Sequence, residues 1–139
     1  MKKLSSVILA ALLLTSSAAF AQDAKEVSDA RVAAERWLKL MDSEEYSAAY
    51  NSSSAGVKDM SKMAWTMLAT ATHAPLGEFK SRKLKSSAVK KTKADTEAIS
   101  FEYESRYEKS PQVKEVVTST HEKDGVWRVS GYSVSNSEK

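Results

Sequence analysis

Apolar residues in the first half of the chain recur at helical spacing. Val27, Ala30, Ala34, Trp37, Leu38 and Met41 fall at three- and four-residue steps, the stripe of an amphipathic helix. Its other face carries Asp29, Glu35, Arg36 and Lys39, with Glu35 and Lys39 at a favourable i,i+4 spacing. The run Asp42-Ser43-Glu44-Glu45 predicts a break and a new helix N-cap, with acids placed for the helix dipole. A short second helix through Tyr46, Ala49 and Tyr50 follows, then a loop from Asn51 to Gly56. Met60, Met63, Ala64, Met67, Leu68 and Ala71 form the stripe of a third helix flanked by Trp65. Pro75 ends it and Leu76-Gly77 makes the turn.

Beyond Gly77 the period drops from 3.6 to 2. Ile99, Phe101, Tyr103 and Tyr107 alternate with Ser100, Glu102, Glu104 and Arg106, which predicts a strand with one buried and one wet face. Phe79 to Val89, Val113 to Glu122 and Val126 to Val134 read as three further strands. Asp124-Gly125 supplies a hairpin turn between the last two. Three helices followed by a four-stranded antiparallel meander predict an α+β fold with the helices on one sheet face.

The extreme N-terminus has a different character. Lys2 and Lys3 precede an apolar run from Val7 to Leu14, and Ala19-Phe20-Ala21 fits a signal-peptidase site. The run is too short for a membrane-spanning helix. We expect residues 1–21 to be a signal peptide cut after Ala21, and residues 22–139 to be one periplasmic or secreted domain without a stable membrane anchor. The precursor's net charge of +3 includes those two lysines. The mature chain is therefore close to neutral, which argues against nucleic acid as a partner. The 139-residue chain has no Cys, so disulfides, thiolate metal sites and cysteine nucleophiles are excluded.

Several stretches together resemble a known family. They are Ala34-Glu35-Arg36-Trp37-Leu38-Lys39-Leu40-Met41-Asp42 with Tyr46, then Trp65, then Pro75-Leu76-Gly77 with Ser81-Arg82, and finally Asp124 to Tyr132 with its Trp127-Arg128-Val129 core. In that order they are similar to the secreted proteobacterial family catalogued as domain of unknown function 4019. His73 stands where the family usually has Arg, and Tyr50 where Trp is usual. The stretch before Ile99 lacks the family's usual Pro and Gly. The resemblance implies a curved, cystatin-like cone of the nuclear-transport-factor-2 type, and a homodimer through the open sheet face. It brings no activity with it, and the fold type hosts enzymes, receptors and adaptors alike.

The residues that could carry chemistry divide into four groups. Met60, Met63 and Met67 with His73 could offer soft ligands to Cu(I). The competing reading, which we prefer from sequence, makes the thioethers flexible core filler. His73 and His121 lack ligand-like spacing and read as helix-end and surface histidines, so no metal or other cofactor is expected. Asp42, Tyr50, His73, Tyr103 and Tyr132 could serve acid–base chemistry in a pocket, but no catalytic motif fixes their geometry. The run Lys80, Arg82, Lys83, Lys85, Lys90, Lys91 and Lys93 could attract an anionic partner. Cross-strand pairing with Glu97, Glu102 and Glu104, together with protection of a sheet edge, accounts for both charge runs at once.

The expected function is a non-catalytic binding domain for a small molecule or periplasmic protein. Trp65, Arg82, Tyr103, Trp127 and Tyr132 are its candidate ligand contacts. A small hydrolase, isomerase or dehydratase is the alternative from another class. An immunity-like or inhibitor protein is the third.

Overall fold

A computed structural model describes residues 24–91 and 97–136 of the chain. The expected signal peptide with its expected cleavage site, and Lys93 of the basic run, lie outside them. Helix α1 covers residues 24–42, α2 Tyr46–Asn51 and α3 Lys62–His73, with a 3-10 turn at Val57–Asp59. Strands β1 (Phe79–Lys91), β2 (Glu97–Tyr107), β3 (Ser110–His121) and β4 (Trp127–Asn136) follow. They form one antiparallel sheet in the order β1-β2-β3-β4, the expected meander. Gly125 closes the last hairpin at φ 84°, a conformation that costs Gly little.

Helix α1 packs as its stripe predicts. Ala30, Ala34, Trp37, Leu38 and Met41 are buried against Ile99, Phe101, Tyr103, Val117 and Val129 of the sheet. Two polar ties fix it in place. Ser119 donates to the Ala30 carbonyl at 2.9 Å, and the Trp37 indole donates to Ala49 and Ser53. These bonds satisfy polar groups that burial would otherwise leave unpaired.

The break after α1 differs from expectation in its chemistry. Glu44 turns the chain with φ 58°, and Glu45 at the N-cap of α2 makes no side-chain cap bond. No acid occupies the first turn of α2. Asp42 turns to a partner on the sheet instead.

Helix α3 reverses the sequence reading more thoroughly. The expected core methionines face outward, Met63 being 76% exposed and Met67 68%. The helix buries Ala69 and His73 and half-buries Trp65 and Thr72. Those four positions form an equally regular stripe, rotated to the other side of the helix. Trp65 sits among Trp37, Tyr46 and Tyr50, with ring centroids 6.2, 6.5 and 5.9 Å away. The end of the helix is pinned by Leu76, which is buried with Tyr107 and Val113. Its carbonyl accepts from Lys109 N–H. Gly77 follows at φ 78°, where a Cβ would come within 3.1 Å of Glu108 and Lys109 side chains.

The charge pairing across the sheet is also different. Lys83 lies opposite Glu104 in register, but Glu102 pairs with Lys114 of β3 at 3.5 Å rather than with a β1 lysine. The edge position expected for the lysine-rich strand holds, since β1 ends the sheet.

Candidate functional site

Strict alternation cannot place the site, because register shifts, among them one near the start of β1 and one in β4, change which residues face inward. On β1, Phe79 lies opposite Tyr107 and Ser81 opposite Arg106, so Lys80 is the extra residue. Phe79, Arg82 and Leu84 then share the inner face with Tyr107, Ser105 and Tyr103. On β4, Val129 lies opposite Ser119 and Gly131 opposite Thr118, so Ser130 is extra. Val129 and Tyr132 thereby face the same side, opposite the buried Ser119 and Val117. A bulge bends its strand and redirects side chains by one position. Arg82 and Tyr132 reach the interior by this device.

There they meet a carboxylate with no solvent contact at all. Glu115 on β3 is 0% exposed. Its Oε1 accepts from Arg82 Nη2 at 2.7 Å, Arg82 Nε at 3.0 Å and Ser105 Oγ at 2.5 Å. Its Oε2 accepts from Tyr107 at 2.9 Å and, in a short contact, from Tyr132. Arg82 also grips Asp42 at the end of α1 through two bonds of 2.8 and 2.9 Å. A planar guanidinium suits such forked recognition, and bonds between charged partners are the strong ones.

The network orders the protonation states. Burial by itself would raise the Glu115 carboxyl, but Arg82 and the bonds from Ser105 and Tyr132 outweigh it and hold it below its ordinary value. Burial, then the charge of Glu115, push the Tyr132 and Tyr107 phenols upward, so both stay protonated. His73 is driven downward by burial, more than Glu115 and Asp42 pull it up, and is neutral at pH 7. Asp42, Glu115 and Arg82 then leave the cluster one negative charge in excess.

Those states assign the histidine tautomer. Tyr132 has one proton, and ionised Glu115 can only accept, so that proton points to Glu115. The 3.0 Å contact between Tyr132 and His73 Nε2 is therefore filled by Nε2–H donating to the phenol oxygen. The lone pair of neutral His73 lies on Nδ1, for which no hydrogen-bond partner occurs among the described residues.

His73 lines two cavities. One, of about 520 Å³, is a half-open groove between α3 and β4. Its apolar walls are Trp37, Met41, Trp65, Leu68, Val129 and Tyr132, with His73, Thr72 and Ser130 as polar points. The other, of about 450 Å³, lies below the end of α1 against Tyr46, Phe79 and Tyr107, with Asp42, Glu44 and Glu78 on its walls. The model of the family described as protein of unknown function (DUF4019) matches residues 33–132, from α1 through Tyr132. The chain belongs to this family. Every member of the buried network lies within the DUF4019 match. No curated protein matches the chain.

Three of the five candidate ligand contacts come near one another. Trp65 and Tyr132 line the groove, and Arg82 lies behind Tyr132 in the network, committed to Asp42 and Glu115. Tyr103 is buried under α1, its hydroxyl donating to Glu35 at 3.0 Å. Trp127 sits at the far end of the sheet, stacked on His121 at 4.7 Å beside a smaller cleft. Of the acid–base candidates, Asp42, His73 and Tyr132 join one network. Tyr50 instead donates to the Met60 carbonyl at 2.6 Å.

Sequence reasoning missed Glu115 altogether; it read His73 as a helix-end histidine, which it is, and named it among the acid–base candidates without a partner. The available signal was a lone acid inside the alternating run Val113, Glu115, Val117, Ser119, at a position whose neighbours face the core. Among the described residues no cluster of His and carboxylates is arranged to hold a metal ion.

Proposed function

We propose that the protein is a non-catalytic periplasmic or secreted binding domain whose groove between α3 and β4 takes a small, largely apolar molecule. We read the helix-then-meander order and the bulged, bent sheet as a cystatin-like cone of the nuclear-transport-factor-2 type, with the groove at its open side. The observation that carries the binding reading is the lone pair of His73 Nδ1, which has no internal partner on a residue that is 7% exposed and lines the groove. That nitrogen is therefore open to solvent, and a ligand donor can take the place of water there. The favoured ligand class is a planar apolar molecule with one neutral hydrogen-bond donor, such as an aromatic alcohol.

The use made of the strong groups supports the non-catalytic reading. Glu115 accepts five hydrogen bonds and carries a lowered pKa, which makes it a poor proton acceptor. Arg82 is held by two carboxylates. A second reading has one observation in its favour. The same neutral His73 acceptor could act as a general base on a bound substrate, which is the pocket-enzyme alternative.

2-Naphthol against naphthalene is the direct test. Trp37 and Trp65 both line the groove, so saturable quenching of tryptophan fluorescence by 2-naphthol is expected, with weaker quenching by naphthalene. Leu68 is 55% exposed on the groove wall, so Leu68→Glu should abolish quenching without unfolding the chain. An unchanged response in Leu68→Glu, or no saturable response in the native protein, would overturn the reading.

A further inference from the structure

The outward face of α3 is chemically odd for a helix turned to water. Met60, Met63 and Met67 are 42, 76 and 68% exposed, and Leu68 beside them 55%. Exposed helix faces normally carry charge, as α1 does with Lys25, Asp29, Arg31 and Glu35. The need for core filler cannot account for these methionines, because α3 packs through Trp65, Ala69, Thr72 and His73.

We propose that Met60, Met63 and Met67 form a surface site for one soft monovalent metal ion of the Cu(I) class. Thioether sulfur is a soft, uncharged ligand that suits Cu(I) and discriminates against hard divalent cations. Three neutral ligands leave the bound ion its single positive charge, which water can solvate at an exposed site. The chain has no Cys to compete for such an ion.

The geometry supports convergence. Met63 and Met67 are one turn apart on α3, which places their Cβ atoms about 5–6 Å from each other. Each side chain has three rotatable bonds with which to bring its sulfur to a shared point. Met60 precedes the helix in extended conformation, φ −82° and ψ 142°, just before the cap Ser61. Its carbonyl is tied to Tyr50 at 2.6 Å and its N–H to Val57, so the segment carrying the third sulfur is anchored. The nearby Lys62 ammonium is drawn off over the Tyr50 ring, 5.8 Å from its centre. His73 takes no part, contrary to the ligand set suggested by sequence, since it is buried on the opposite side of α3 and bonded to Tyr132.

Anaerobic titration with Cu(I), in competition with a chromogenic Cu(I) chelator, tests the site. Methyl signals of ¹³C-labelled methionine report where the ion goes. One equivalent should be retained, shifting Met60, Met63 and Met67 while Met41, 2% exposed, stays fixed. The double variant Met63→Leu/Met67→Leu changes only exposed side chains and should fold normally. It is expected to lose affinity by about tenfold or more, the scale seen when a metal site is disturbed. Ag(I), which does not change oxidation state, should behave alike. Failure to retain Cu(I) would overturn the proposal. So would equal retention by the double variant, or shifts centred on Met41 or the histidines. Met60 also lines the groove, but Met63 and Met67 do not, so the double variant should lose Cu(I) affinity while keeping the 2-naphthol response, and the two proposals fail separately.

Discussion

Helices α1 and α3 carry apolar stripes of similar regularity in the sequence, yet one buries its stripe and the other displays it. Helix α1 has a single stripe to offer, because most of its remaining positions are charged. The sheet presents Ile99, Phe101 and Val117 to it, and apolar meets apolar. Helix α3 has two candidate stripes. One is methionine-rich; the other, Trp65, Ala69, Thr72 and His73, is less apolar but bears a hydrogen-bonding imidazole. The sheet beneath it presents Tyr107, Tyr132 and Glu115, so the helix turns its histidine inward. His73 stacks on Tyr132 with rings 5.8 Å apart and 19° from parallel, and bonds to its hydroxyl. Hydrophobicity ranks faces correctly only where the surface opposite is itself apolar.

The comparison breaks most severely if the polar network loses its cation. Arg82→Met would leave Asp42 and Glu115 buried without a counter-charge, since the Arg82 and Asp42 side chains are only 11 and 12% exposed. Removing one partner of such an ion pair costs about 3–5 kcal/mol. Urea unfolding should show a loss of that size, and a loss below about 1 kcal/mol would mean the network is dispensable.

Next in size is the contrast between the two helices themselves. Leu38→Ala on α1 removes a side chain that is 0% exposed and should cost about 2–5 kcal/mol in urea melts. The matched change on α3, Met67→Ala, is placed last because it should stay within about 0.5 kcal/mol. Comparable losses at both positions would contradict the orientation of α3.

Between these extremes lies the dependence on pH. The His73 pKa is lowered from 6.5 on folding, so below that pH the unfolded chain takes up a proton that the folded chain refuses. Stability must then fall as pH drops through 6.5. Glu115, lowered from 4.5, adds a second loss of the same sign when pH falls below that value. The raised Tyr107 and Tyr132 phenols mirror this at the other end, where stability is lost as pH climbs above 10. Urea midpoints between pH 7.5 and 5.5 should decline, and His73→Gln should flatten that first stage. A midpoint that rises on acidification would refute the assigned neutral state of His73.

Much of the architecture is legible in residue order. Periodicity placed α1, α2, α3 and four strands within a few residues of where they lie, and Gly77 and Asp124-Gly125 marked the turns where the period changes or the chain doubles back. These are local properties, set by backbone sterics and by each segment's need to bury one face. The site was legible only in fragments. Arg82, His73 and Tyr132 stood out as residue types, but alternation by twos gave no warning that extra residues at Lys80 and Ser130 would carry Arg82 and Tyr132 inside. Glu115 was hidden because a lone acid in a strand normally faces water.

Periodicity along the chain therefore settles which segments are helix and strand and in what order they run. It does not choose which of two stripes on α3 turns inward, nor the register at which a bulge redirects a strand. Those depend on groups distant in sequence, since a buried carboxylate is tolerable only where an arginine and three hydroxyl donors have been brought to it from other elements. That requirement can be met only when the sheet and helices are assembled together.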